Sequence, residues 1–224
     1  MSGFILSTKL KKYVAIYLML HQCTEILTGT IMMKTKANGS SLFCKNGQPD
    51  FKNVIDKLNS EYEHTDESAL ILAYKTAKLY STCRCCGVGK GVGAIFIKNG
   101  KIICFGYNGV SKYIQPCTKD TCIRVALKIP NHTNRDICYG DCAEKRAIAN
   151  AVSNSIDLEG STVYITKSPC VSCTKMLIDV GVKKVIYHKV YSDPDFSFRL
   201  MDMANVEYTE LNSPRLTVIK RNDF

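Results

Sequence analysis

The chain has 224 residues, 46% of them hydrophobic, and 30 Lys and Arg against 20 Asp and Glu give a formal net charge of +10. That length suffices for one substantial core within the usual domain range. The basic excess is spread along the chain without an arginine-rich tail, an interleaved aromatic platform or a concentrated patch, so it reads as a solvated basic surface and argues against a dedicated nucleic-acid binder.

Taken from the N-terminus, Lys9, Lys11 and Lys12 precede an apolar run, Tyr13 to Leu20. Eight residues are too few to span a bilayer, and no small-residue cleavage site follows before His21, Gln22 and Cys23. A packed helix is expected there, not a signal peptide. Lys34 to Pro49, rich in Lys, Asn, Gly and Ser, reads as a linker. Phe51, Val54, Ile55 and Leu58 mark a short helix, and Thr65 with Asp66 caps a second one from Ser68 to about Tyr80. The glycine-rich run Cys86 to Gly93 looks like a phosphate cradle, but the Walker spacing would need Gly at 84 and Ser or Thr at 91, where Arg84 and Gly91 stand. It reads as a turn feeding a strand. Val92 to Gly109 then forms two apolar strands joined by Asn99 and Gly100, the strongest short hairpin signal a sequence carries.

A segment of about 30 residues follows, holding Cys117, Cys122 and Cys138; loops of that length are uncommon unless functional or tied down. Beyond it, Ala147, Ile148, Ala151 and Val152 recur at helical spacing behind Asp141 as the expected N-cap, which puts Cys142 and Glu144 in a first helical turn. Ser161 to Thr166 reads as a strand. Ser168 and Pro169 then open a helix through Cys170, Cys173, Met176, Leu177 and Val180.

Cys142, Cys170 and Cys173 are therefore expected at two helix N-termini, where unpaired N–H groups and the macrodipole favour thiolate over thiol. Three thiolates suit Zn²⁺, and a catalytic zinc site keeps three protein ligands and a fourth position for water, with Glu144 left uncoordinated to move protons. A structural zinc knuckle would want a fourth Cys or His and has no need of Glu144; a lone Cys-x-x-Cys is also common as a redox pair. Three thiolates leave the ion's first shell at net −1, and Lys145 and Arg146, directly after Glu144, are the expected compensating charges. Twelve cysteines in a secreted chain would imply disulfides; at metal-ligand spacing they imply a reducing, cytoplasmic setting.

From about Ala69 to Leu211 the chain resembles the deoxycytidylate deaminases of the cytidine deaminase superfamily. The resemblance rests on the hairpin ending in Gly106, Tyr107, Asn108 and Gly109, on Cys142 with Glu144, on Pro169, Cys170 and Cys173, and on the strand and helix succession to Tyr208. Members commonly have His where Cys142 stands and Asn where Arg146 stands, whereas small cytidine deaminases use Cys-Ala-Glu followed by Arg. The resemblance implies an α/β fold of three layers, α/β/α, with a mixed sheet of about five strands, in residues 66–224 behind an N-terminal extension, 1–65. It implies zinc-dependent hydrolytic deamination of dCMP to dUMP, the alternatives being a cytidine or deoxycytidine nucleoside deaminase and a polynucleotide-editing deaminase. It further implies substrate contacts from Asn108, with Tyr191 and Lys112 as further pocket residues, the last toward a 5′-phosphate. Cys117, Cys122 and Cys138 match a second, structural zinc site whose fourth ligand would be Cys86, or else Cys83, Cys85 or His132; free thiols are the alternative. A homo-oligomer regulated by dCTP and dTTP, with no membrane association, completes what the resemblance implies.

Overall fold

The computed structural model describes residues 50–61, 65–83, 91–130, 133–191, 194–213 and 215–216. The expected helix at Tyr13 to Leu20, the linker at Lys34 to Pro49 and residues 86–90 of the glycine-rich run lie outside these. No helix among the described residues is long and apolar enough to cross a membrane.

Helix α1 (Phe51–Glu61) and helix α2 (Asp66–Tyr80) come first. Thr65 caps α2 as expected: its side chain accepts from the Ser68 N–H while the Ser68 hydroxyl accepts from the Thr65 N–H, a reciprocal box that satisfies two otherwise orphaned donors. Strands β1 (Gly93–Lys98) and β2 (Lys101–Tyr107) form the expected hairpin. Asn99 and Gly100 have φ of 52° and 71°, the pair of positive values that a tight twisted turn demands and that Asn and Gly tolerate. Strand β3 (Gly109–Val110), helix α3 (Ile123–Ala126), a 3₁₀ turn at Arg135–Ile137 and strand β4 (Gly140–Asp141) occupy the cysteine segment. There follow helix α4 (Ala143–Ser153), strand β5 (Thr162–Ile165), helix α5 (Val171–Asp179), strand β6 (Lys184–Tyr187), helix α6 (Asp195–Met203) and strand β7 (Glu207–Glu210).

Five strands form one mixed sheet in the order β2-β1-β5-β6-β7. β1 is antiparallel to both β2 and β5, whereas β5, β6 and β7 run parallel. Alternation along the strands divides the core into two clusters. Ala94, Phe96, Val163, Ile165 and Val185 face Ala147, Ala151, Leu177 and Met201 of α4, α5 and α6. Ile95, Ile102, Phe105 and Ile186 face Leu70, Ala73 and Val54 of α2 and α1. The three-layer α/β/α arrangement is thus the one expected. Ile103 is an extra residue in β2, since Phe96 pairs with Cys104 and Ile97 with Ile102; the bulge turns both Ile103 and Cys104 toward the α4 face. At the sheet's β2 edge Asn59 exchanges two hydrogen bonds of 2.8 Å with the Ile102 backbone, closing that part of an otherwise open ladder.

One contact positions the functional face. Ala143, Ala147 and Ala151 form the buried stripe of α4, and a Cβ on Gly106 would lie 2.3 Å from the Ala143 carbonyl and 2.5 Å from the Ala147 amide. Small side chains on both partners let the helix backbone rest on β2, which presses the start of α4 against the sheet. Gly106→Ala should therefore cost about 1–3 kcal/mol of stability through overpacking and displace the first turn of α4. Urea unfolding measures this, and an unchanged midpoint would show that the approach is looser than described.

Candidate metal centre

Cys142 is the N-cap of α4, with φ −67° and ψ 158°, and Cys170 is the N-cap of α5, with φ −76° and ψ 164°. Both helices therefore start later than the sequence implies. Asp141 does not cap α4, because it is drawn into the β3 to β4 ladder opposite Gly109; α5 begins at Val171, not at Pro169. The consequence favours the site. Each cysteine stands at the mouth of a helix, where the first-turn N–H groups are not yet used.

The three Sγ atoms of Cys142, Cys170 and Cys173 all lie within 4.8 Å of one another. Tetrahedral zinc with Zn–S of about 2.3 Å spaces its sulfurs roughly 3.8 Å apart, inside that limit, and soft thiolates are the donors that select such an ion. Hydrogen bonds from the Cys142 and Cys173 thiols hold Cys170 far below the usual thiol range, helped by the Cys173 backbone N–H, and the same bonds push Cys142 and Cys173 up. A cation entering the cluster would replace those thiol protons. Among the described residues this is the one set of three Cys, His, Asp or Glu side chains so gathered.

Glu144, the second residue of α4, is only 4% exposed. Burial raises its carboxyl to about 7, reinforced by the negative Cys170 and opposed by its own backbone N–H and by Arg135. A bound cation would act in the opposite sense and favour the carboxylate. The group is thus balanced between holding and releasing a proton near neutral pH.

The expected compensating cations are placed differently. Arg146 turns toward β3, donating to the carbonyls of Val110 and Gly109 with its guanidinium carbon 4.9 Å over the Tyr107 ring. It joins α4 to β3. The cation whose charge favours ionised Cys170 and Glu144 is instead Arg135, from the 3₁₀ turn of the cysteine segment. Its guanidinium lies 4.4 Å over the Tyr191 ring, and Lys167 Nζ lies 5.6 Å from the same ring. Ser168, 3% exposed, ties the region together by accepting the Tyr191 N–H at 2.7 Å and donating its own N–H to the Lys189 carbonyl at 2.7 Å. Arg135, Lys167 and Ser168 were not singled out from the sequence. A lone arginine in a segment without periodicity gives no signal until the fold brings it to the thiolates.

The remaining expected residues divide. The Tyr191 hydroxyl is raised by burial, lowered by Arg135, and raised further by Cys142, Cys170 and Glu144. Asn108 is held by its side-chain oxygen, which accepts from the Val92 N–H and the Ser81 hydroxyl, each at 2.7 Å; its amide NH₂ is left to donate elsewhere. Lys112 is exposed and lies 5.1 Å over the Tyr113 ring. Cys117, Cys122 and Cys138 are not gathered into a set of three, and Cys85, Cys86 and His132 lie outside the described residues. In the same segment Arg124, 8% exposed, donates to the carbonyls of Pro130 and Asn134 at 2.8 Å each.

Residues 63–189 match the family model described as the cytidine and deoxycytidylate deaminase zinc-binding region. ComE operon protein 2 of Bacillus subtilis (strain 168) is 28% identical over 131 residues, covering 58% of this chain and 65% of that protein. A probable deoxycytidylate deaminase of Drosophila melanogaster is 30% identical over 157 residues, covering 66% of this chain and 72% of its own. The chain spans less than two thirds of the first curated relatives it matches, and only 41% of the deoxycytidylate deaminase of Saccharomyces cerevisiae. Among solved structures, the dCMP deaminase of cyanophage S-TIM5 in complex with dCMP and dUMP has 29% identity and a TM-score of 0.49, over 66% of this chain and 100% of that one.

If the trio is the ligand set, Cys142→Ser should lose zinc to a chromophoric chelator at concentrations the parent protein withstands, because a hydroxyl is a poor replacement for thiolate. Cys104→Ser is the control: that buried thiol donates to the Ala147 carbonyl at 3.0 Å, outside the trio, and its replacement should leave zinc retention unchanged. Equal retention by parent and Cys142→Ser would remove Cys142 from the ligand set.

Proposed function

The chain belongs to the cytidine and deoxycytidylate deaminase zinc-binding family, and from that membership we propose that residues 66–224 form a zinc-dependent hydrolase converting dCMP to dUMP and ammonia. The observation that carries this reading is the gathered Cys142, Cys170 and Cys173 beside a buried, uncoordinated Glu144. A purely structural zinc would be closed by a fourth Cys or His, and no such residue joins the trio among the described residues. The deoxycytidylate deaminases among the relatives, from yeasts, phages and Drosophila, support dCMP as the substrate.

In this reading Cys142, Cys170 and Cys173 hold the ion, which when bound lowers the pKa of a water toward about 7. Glu144 takes a proton from that water and delivers it to N3 of the pyrimidine. As the oxygen of that water bonds to C4, Glu144 takes its second proton and passes it to the 4-amino group, which leaves as ammonia when the C4–N bond breaks and the C4 carbonyl forms. Burial favours the proton on Glu144 and a bound cation would favour the carboxylate, opposing influences that suit a group which must both take and give a proton. Asn108, with its oxygen pinned, offers a fixed NH₂ donor to the sugar or base, and Tyr191 forms a wall of the pocket.

One zinc per chain is proposed at this centre. A second ion in the cysteine segment would raise the count to two, and elemental analysis of the pure protein distinguishes the cases. The proposal extends to a cytoplasmic homo-oligomer whose rate rises with dCTP and falls with dTTP, and initial rates with each nucleotide test the regulation. Incubation with dCMP, dCTP, cytidine, deoxycytidine and a single-stranded oligonucleotide separates nucleotide, nucleoside and polynucleotide deaminases, and dCMP should have the highest kcat/KM.

Glu144→Gln should keep its zinc while losing deamination by about 10²–10⁴-fold, since the amide fills the space but carries no transferable proton. Loss of the metal together with activity would make Glu144 a ligand and overturn its assignment.

A further inference from the structure

We propose that Arg135, held over the Tyr191 ring that Lys167 also approaches, seats the substrate's monophosphate and so sets the preference for a nucleotide over its nucleoside. This rests on the deaminase reading above.

Four observations lead to it. First, the neighbouring cations are committed or remote. Arg124 spends its guanidinium on the Pro130 and Asn134 carbonyls, Arg146 spends its own on Val110 and Gly109, and Lys112 is exposed on Tyr113. Second, Arg135 makes no hydrogen bond or ion pair through its guanidinium among the described residues; its stacking partner is the Tyr191 ring. A guanidinium held over a ring by its charge keeps its N–H groups for an acceptor, and such a group recognises a phosphate through two parallel hydrogen bonds.

Third, the seat is built. Arg124 fixes the carbonyl of Asn134, the residue before Arg135, and Ser168 fixes the backbone of Tyr191, the residue on which Arg135 lies. The cation is held from both sides, so little side-chain entropy is lost when an anion arrives. Fourth, the seat lies beside the chemistry. Ser168, which holds the Tyr191 backbone, is two residues before Cys170, and Lys167 is three residues before it. Two cations at the rim of a thiolate and carboxylate centre would attract the phosphate, which carries nearly two negative charges at neutral pH, while the base enters toward Glu144.

The competing role is a purely electrostatic one, in which Arg135 offsets the thiolate charge and touches no substrate. The two roles part in their kinetics. A phosphate seat acts on KM for dCMP, whereas an offsetting charge acts on kcat for every substrate.

The experiment compares zinc-loaded parent, Arg135→Gln, Arg135→Lys and Lys167→Gln, each checked for zinc content and thermal midpoint, with dCMP and deoxycytidine as substrates and with dUMP binding followed by calorimetry. Loss of a charge-assisted hydrogen bond predicts that Arg135→Gln lowers the dCMP to deoxycytidine ratio of kcat/KM by roughly 10- to 100-fold, through KM, and weakens dUMP binding by a similar factor. Arg135→Lys should recover part of the ratio, and Lys167→Gln should lower it less. An unchanged ratio, or equal loss on both substrates through kcat, overturns the inference. A parent protein that holds zinc yet leaves dCMP intact would instead overturn the deaminase reading.

Discussion

The resting of α4 on β2 at Gly106 is the contact on which the functional face depends. Every ligand comes from a helix start, and a helix start is placed only as well as the helix behind it. The alanine stripe of α4 brings backbone to backbone, so Cys142 and Glu144 inherit the rigidity of a strand whose next neighbour, β1, lies inside the sheet. Cys170 and Cys173 are placed in the same way by the parallel pairing of β5 with β6, with Leu177 of α5 packed in the same cluster. The two helix starts then meet over one cluster of apolar side chains.

Charge is the counterweight to this packing. Gathered sulfurs and a buried carboxylate repel one another when ionised: hydrogen bonds within the trio push the Cys142 and Cys173 thiols up, and burial, reinforced by Cys170, raises Glu144 to about 7. A divalent cation relieves that repulsion more effectively than thiol protons do. Arg135 supplies part of the remaining balance from a segment that is otherwise peripheral to the sheet. The cysteine segment between β3 and β4 thus bears on the centre through Arg135.

The hairpin, the alternating strands, the capped α2 and the Cys170 and Cys173 pair at one helix start were all legible in the sequence, because each rests on local spacing. Asn99 with Gly100, Thr65 with Ser68, and Cys170 with Cys173 are short-range signals of this kind. The features that escaped are tertiary. Asp141 looks like a cap until β3 pairs with β4, and Arg146 looks like a counter-charge until the Val110 carbonyl claims it. Arg135 could not be found from periodicity, since it stands in a 3₁₀ turn of three residues.

The account turns on one ion held by three sulfurs with a fourth position left open. X-ray absorption at the zinc edge, on protein carrying one equivalent of the metal, counts those neighbours directly. The prediction is three sulfurs at about 2.3 Å and one oxygen or nitrogen near 2.0 Å. Four sulfurs would make the site a closed structural one, and would contradict the role assigned to Cys142, Cys170, Cys173 and Glu144.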